Sequence, residues 1–188
     1  VRRRSFLKAV ATVAPSVALH DLITKPAVAQ ATAPPAAGEL HVIGAGEDRF
    51  GHPHSLGMSS IGFKVVPSET GGGLFVIEHM HLGPGGPPLH LHWSQEEFFY
   101  VMEGEVAFQV GEQRLELKEG ECVLAPRRIP HTFSSLRPSS RMLIAFTPAV
   151  RMEDYFRDAE QHRELAFKPE FMARYDMKFV GPSPFWKS

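Results

Sequence analysis

The chain has a single cysteine, Cys122, in 188 residues. An internal disulfide is therefore excluded, and the fold has to be held by its apolar core. Charge of one sign is lacking too: 20 Lys and Arg stand against 21 Asp and Glu, a formal net charge of −1. Without a basic surplus the chain has no electrostatic footprint for nucleic acid, so that class of partner is set aside. Long hydrophobic runs are also missing. The apolar stretch from Ala9 to Leu19 is interrupted by Thr12, Pro15 and Ser16, and it falls well short of the ~20 residues of a membrane-spanning helix. No internal repeat is visible, which excludes a tandem architecture.

What is present begins with an address. Arg3-Arg4-Ser5-Phe6-Leu7-Lys8 ahead of the short apolar stretch matches a twin-arginine export pattern. Ala27-Val28-Ala29 then offers small residues at the positions a signal peptidase reads, so cleavage is expected before Gln30. Residues 1–29 are accordingly read as a signal peptide for the twin-arginine machinery. The mature protein is placed in the periplasm or outside the cell. Residues 30–38 are Ala/Pro-rich and read as a linker. The remaining chain, about 160 residues after cleavage, is enough for one domain with a real core.

From Leu40 onward, short apolar or alternating runs are cut by Gly and Pro. They are Leu40 to Ile43, Ile61 to Val66, Leu74 to Leu82, Glu97 to Met102, Val106 to Val110, Arg114 to Leu117, Cys122 to Leu124, His131 to Ser134 and Met142 to Phe146. Regular short strands with turn residues between them predict an all-β barrel or sandwich, and pattern alone does not choose. Cys122, between a turn glycine and Pro126, reads as a buried strand residue. After Thr147-Pro148 the period changes. Met152, Tyr155, Phe156, Ala159 and Leu165 mark one apolar face of a helix over 152–165, and Pro169 opens a second short helix over 170–175.

The chemistry is concentrated in Gly83 to His131. His90 and His92 are spaced i and i+2, which puts both imidazoles on one face of a strand. Glu97 follows, then His131 about forty residues later. This order of residues, His90-x-His92, Glu97 and Gly104, then Gly120, Pro126 and His131, resembles the double motif of the cupin superfamily. Three positions depart from it: the leading glycine is displaced within Gly83 to Gly86, Arg128 replaces a glycine, and Ser135 replaces an asparagine. The surroundings, from Gly85-Gly86-Pro87-Pro88 to Glu153-Asp154-Tyr155-Phe156, are similar to bacterial single-cupin proteins of the quercetin 2,3-dioxygenase type.

The resemblance implies a jelly-roll β-barrel over 39–148, with its metal motifs in 83–135 and a helical extension with one or two C-terminal helices over 149–188. It implies one divalent transition metal per chain (Fe, Mn, Ni, Co, Cu or Zn), held by His90, His92, Glu97 and His131. Such a mixed N/O set suits any of these metals. Glu96 competes for the carboxylate role, and Glu97 is preferred because it alone keeps the spacing to Gly104 and shares an inward face with Phe99 and Val101.

Four protein ligands leave open positions for a small-molecule substrate and dioxygen. By the resemblance, Glu97 is also the catalytic base, taking the proton of a flavonol-like enolic hydroxyl before oxidative ring cleavage. Phe99 and Phe133 are candidate walls of the substrate pocket. A non-catalytic metal- or ligand-binding cupin and a redox-neutral metal enzyme remain as alternatives, since fold does not fix function. His79 and His81 repeat the i, i+2 spacing and are read as paired on one strand face rather than as a second metal site. His52-Pro53-His54 is assigned no role. Arg127 and Arg128 are read as solvated turn residues, with steering of an anionic substrate as the alternative. Two copies are expected to pair through the Leu40 to Val66 region as a homodimer.

Overall fold

The computed structural model describes residues 40–186, so the expected signal peptide (1–29) and linker (30–38) lie outside the described residues. Among the described residues, eleven strands form two antiparallel sheets. The first has the order β1-β2-β3-β10-β5-β8, built from His54–Ser55, Ser60–Val65, Phe75–Leu82, Ser140–Thr147, Glu96–Glu103 and Cys122–Ala125. The second has the order β11-β4-β9-β6-β7, built from Met177–Gly181, Leu89–His92, His131–Ser135, Glu105–Val110 and Gln113–Lys118. Two short helices, α1 (Met152–Gln161) and α2 (Pro169–Met172), follow β10. This mostly-β, two-sheet architecture with short C-terminal helices is the one the cupin resemblance implies.

Alternation explains the strands. Along β10 every second side chain, Met142, Ile144 and Phe146, is buried, and those between are only partly covered. Both sheets contribute to one core, in which Phe63, Phe75, Phe99, Phe108 and Phe133 are each almost fully buried. Glycine is required at two turns. Gly104 (φ +86°) reverses the chain between β5 and β6, where a Cβ would sit 2.5 Å from Ser140 Oγ. Gly86 (φ +65°) lies so close to β9 that a Cβ would come within 1.6 Å of the Phe133 carbonyl oxygen. The glycine run therefore seats the chain directly against the strand that carries His131.

Helix α1 buries Met152, Tyr155, Phe156 and Ala159, the i, i+3, i+4, i+7 face that the sequence predicts. Phe156 reaches Phe63, Phe75 and Phe146, with ring centroids 6.0–6.3 Å apart, so the helix is packed on the six-stranded sheet through aromatic contacts.

Several expectations need correction. Leu40 to Ile43 is not a strand: Leu40 and Val42 are 96% and 95% exposed, and no described strand pairs with them. Cys122 is in a strand but exposed, because β8 is an edge of its sheet and presents that side chain outward. The first helix stops at Gln161, and Leu165, counted on its apolar face, is 37% exposed. Within the segment read as helical, Met177–Gly181 forms β11 and pairs with β4, opposite His90 and His92.

Candidate metal centre

The four candidate ligands come from three strands. On β4, His90 and His92 are both buried, as the two-residue period requires. His90 lies directly opposite His131 of β9 in the ladder. Glu97 enters from β5 of the facing sheet, 3% exposed. One potential ligand atom from each of the four lies within 4.8 Å of all the others. Glu96, one residue away, points outward and is bound by Arg127 through Nε and an Nη at 2.5 and 2.6 Å. Strand parity separates the two carboxylates, and the inward one is Glu97.

The rings are aimed by backbone carbonyls. His90 Nδ1 donates to the Pro88 carbonyl and His131 Nδ1 to the Ile129 carbonyl, each at 2.9 Å, which leaves each Nε2 as the ligand atom. His131 Nε2 stands 2.8 Å from Glu97 Oε2, and His92 Nε2 stands 3.0 Å from the same oxygen. The His92 contact is misaligned for a hydrogen bond, so both His92 nitrogens are buried with no partner among the described residues. Buried polar atoms seldom stay unpaired. Imidazole nitrogens and a carboxylate oxygen gathered this closely can hold a cation between them, and a divalent transition metal fits this donor set.

The electrostatics point the same way. Burial opposes the charged form of Glu97, but the imidazoles of His131 and His92 overcome it and hold its carboxyl well below the usual carboxylate range. Burial, reinforced by the neighbouring His131 and His92, pushes His90 down to about 3, so its ring is neutral at ordinary pH. Ionised carboxylate and neutral imidazole are the forms that bind a metal.

Beside the ligands lies a cavity of about 40 Å³, walled mostly by apolar side chains. Phe133 is on its wall. Phe99 stands behind: it packs on Phe108, Phe133 and the ring of His131 and does not line the cavity. Sequence reasoning missed the contribution of the C-terminal segment, since Met152, Tyr155 and Phe156 of α1, with Phe167 and Met172, close over the ligands. Their apolar face was legible, but not the surface it covers. Burial pushes the Tyr155 hydroxyl upward, and that hydroxyl donates to the Ala166 carbonyl at 3.0 Å.

The other histidines separate. His79 is buried and lines the cavity, whereas His81 is exposed with φ +54°. They do not share a face, because β3 is bulged: His79 opposes Met142 and Leu82 opposes Ser140, three steps on β3 against two on β10. His54 is buried, stacked on Phe63 at 4.1 Å, with Nδ1 bound to Glu160 of α1 at 2.6 Å, which makes it a tie between β1 and the helix. Arg127 is engaged by Glu96. Arg128, which stands where the motif has glycine, adopts φ +66°, in the left-handed region that glycine favours, and its backbone N–H donates to the His92 carbonyl at 2.7 Å. Ser135, in place of the motif asparagine, bonds Ser140 Oγ and the Arg137 carbonyl, both at 2.8 Å.

Residues 77–144 match the family described as Cupin domain. The chain is 32% identical over 111 residues to "Oxidoreductase iacF" of Pestalotiopsis fici, covering 57% of this chain and 52% of the relative. It is 34% identical over 65 residues to "Probable oxidoreductase virH" of Hypocrea virens, covering 34% of this chain and 29% of the relative. The chain thus spans about half, or less, of the length of these curated relatives. Among solved structures, an RmlC-like cupin from Shewanella frigidimarina covers 52% of this chain and 84% of its own, at 17% identity and a TM-score of 0.47. Residues 77–144 are thus similar to a cupin domain, and three buried histidines and one buried glutamate are gathered within the same stretch of the fold.

Proposed function

We propose that this protein is a metal-dependent dioxygenase acting on an enolic or phenolic compound, of the kind that quercetin 2,3-dioxygenase-like cupins cleave. The observation that carries the reading is the convergence of His90, His92, Glu97 and His131 at one end of an apolar cavity. The oxidoreductase names of the two fungal relatives support it. When bound there, a redox-active divalent metal supplies Lewis acidity toward an enolic hydroxyl and access to dioxygen.

The protein's own residues do the rest. His90 and His131 are held in orientation by the Pro88 and Ile129 carbonyls, so little reorganisation accompanies ligation. Glu97, ionised and buried, accepts the proton of the substrate hydroxyl, leaving an electron-rich enolate for reaction with dioxygen and ring cleavage. Phe133, Phe146 and Phe156 on the wall suit a planar ring and exclude water. A space of about 40 Å³ holds only a few water-sized molecules. A flavonol therefore needs the partly exposed rim of Leu56, Met58, Pro87 and Phe167 to part, and single-ring enols fit with less movement.

Elemental analysis of protein purified without affinity metals, with oxygen uptake measured on flavonols and single-ring enols, tests this. About one redox-active metal per chain with oxygen consumed is expected. Stoichiometric metal without oxygen uptake would move the protein to redox-neutral or binding chemistry, and absence of metal would overturn the site itself.

From the Arg3-Arg4 pattern and the small residues at Ala27-Val28-Ala29 we also propose that the mature protein acts beyond the cytoplasmic membrane, after export by the twin-arginine machinery. A mature chain starting at Gln30 is expected, and an unprocessed chain in an expressing bacterium would refute it. A homodimer through the Leu40 to Val66 region would cover the exposed Leu40 and Val42. A monomeric mass in solution would exclude it.

A further inference from the structure

Besides the ligands, two polar side chains line the cavity, His79 and Tyr155. Tyr155 spends its hydroxyl on the Ala166 carbonyl. His79 is different. Its Nδ1 lies 2.8 Å from the hydroxyl of Ser59, itself buried, and among the described residues no protein atom partners Nε2. The bulge in β3 selects it: His79 is turned into the cavity, and His81 is turned to solvent. That nitrogen is not one of the buried polar atoms left unpaired, so the cavity reaches it and a molecule there can bond to it without displacing a protein group.

We propose that His79 Nε2 binds a second oxygen of the substrate, a hydroxyl lying outside its metal-binding pair, with Ser59 as the positioning residue that holds the ring. The proposal rests on the metal-dependent reading above and narrows its substrate class to enolic ring compounds bearing a further hydroxyl. The neutral state of the ring agrees, since burial pushes His79 down to about 4. A neutral imidazole has one N–H and one lone pair, so the Ser59 hydroxyl decides whether Nε2 donates or accepts. A substrate hydroxyl can do either. The wall near His79, with Met58 and Phe133, gives that hydroxyl no other polar partner.

The test uses zinc-loaded protein, which binds without turnover, and two 5-hydroxy-4-pyranones that chelate through the same pair of oxygens. Kojic acid carries a hydroxymethyl group, and allomaltol carries a methyl group at the same carbon. Calorimetry on the wild type should show kojic acid bound about 3–10-fold more tightly, the value of one hydrogen bond. His79→Phe should bring the ratio to about one while allomaltol affinity and zinc stoichiometry stay in place, and His79→Gln should keep part of it. Ser59→Ala, which leaves the ring present but loose, should reduce the ratio and carries the test if His79→Phe does not fold. An equal ratio in wild type and variants, or no preference in the wild type, overturns the role of His79 alone. If the zinc-loaded wild type binds neither pyranone, the metal-dependent reading fails and this proposal with it.

Discussion

Glu78 and Glu97 are both buried in the six-stranded sheet, 1% and 3% exposed, and they face opposite ways. On β10 the residue opposite Glu78 is Leu143, on the outer face, and the residue opposite Glu97 is Phe146, on the inner one. Glu78 meets permanent cations: Lys64 Nζ at 2.7 Å and the Arg141 guanidinium, with the Gly46 N–H at 3.3 Å. Among the described residues, the charge partners of Glu97 are imidazoles. Both carboxyls are held below the usual carboxylate range, burial opposing the charge in each case and the partners outweighing it. The partners decide what each can do. A carboxylate saturated by Lys and Arg is a structural clasp, whereas one facing imidazole nitrogens can share its charge with a metal.

This contrast predicts a double dissociation. Glu78→Gln leaves Lys64 and Arg141 half-buried without their counter-charge and should cost about 3 kcal/mol, the low end for breaking a buried pair because Arg141 also reaches Glu103. Urea unfolding measures this, and metal stoichiometry of the folded variant should stay at the wild-type value. Glu97→Gln should do the reverse. Metal affinity should fall by at least ~10–100-fold and oxygen uptake should cease, while the metal-free protein should lose less stability than Glu78→Gln does, because the two imidazoles facing Glu97 can become neutral and Lys64 and Arg141 cannot. If Glu78→Gln lost metal, or if Glu97→Gln kept its oxygen uptake, the two carboxylates would not have separate roles.

Acid sharpens the first half of this comparison. A carboxyl whose folded pKa is depressed contributes stability that is complete above its unfolded value, about 4.3 for Glu, and that is lost as pH falls through the folded value. The stability gap between wild type and Glu78→Gln should therefore be constant from pH 7 down to about 5 and close below about 4.3. Unfolding midpoints across that range check it. A gap that stayed constant into the acid range would mean that Glu78 contributes through packing rather than charge.

The same pair shows what the amino-acid order reveals and what it hides. Glu97 is legible because strand parity is local: His90 and His92 two apart, Glu97 with Phe99 and Val101, and Gly104 closing the turn. Parity fails wherever a strand is irregular. The bulge near His81 separates it from His79, so the pair read as sharing one face does not, and the cavity-lining histidine is hidden by the same event. Pairing between distant segments has no local mark either. Met177–Gly181 joins β4 only because the chain, after Asp176 at φ +63°, returns to the second sheet. The salt-bridged state of Glu78 depends on Lys64 and Arg141, from two other strands, and spacing along β3 says nothing of either. Cys122 lies in a strand, as its flanks suggest, but its exposure follows from β8 being an edge.

The smallest effect is expected at the third carboxylate. Glu96 precedes Glu97, so the two differ by one step of strand parity. It is bound through two nitrogens of Arg127, and this bond holds its carboxyl low and raises the arginine, but both lie at the surface where water competes for each partner. Exposed pairs of this kind contribute little even with good geometry. Glu96→Gln should therefore leave both the unfolding midpoint and the bound metal where they are. That outcome would show that the large effects at Glu78 and Glu97 come from burial and partners, not from a carboxylate on this sheet as such. A loss of metal in Glu96→Gln would instead mean that the Glu96–Arg127 pair helps to fix the start of β5, where Glu97 stands opposite Ala125, just ahead of the turn that carries Arg127 and Arg128.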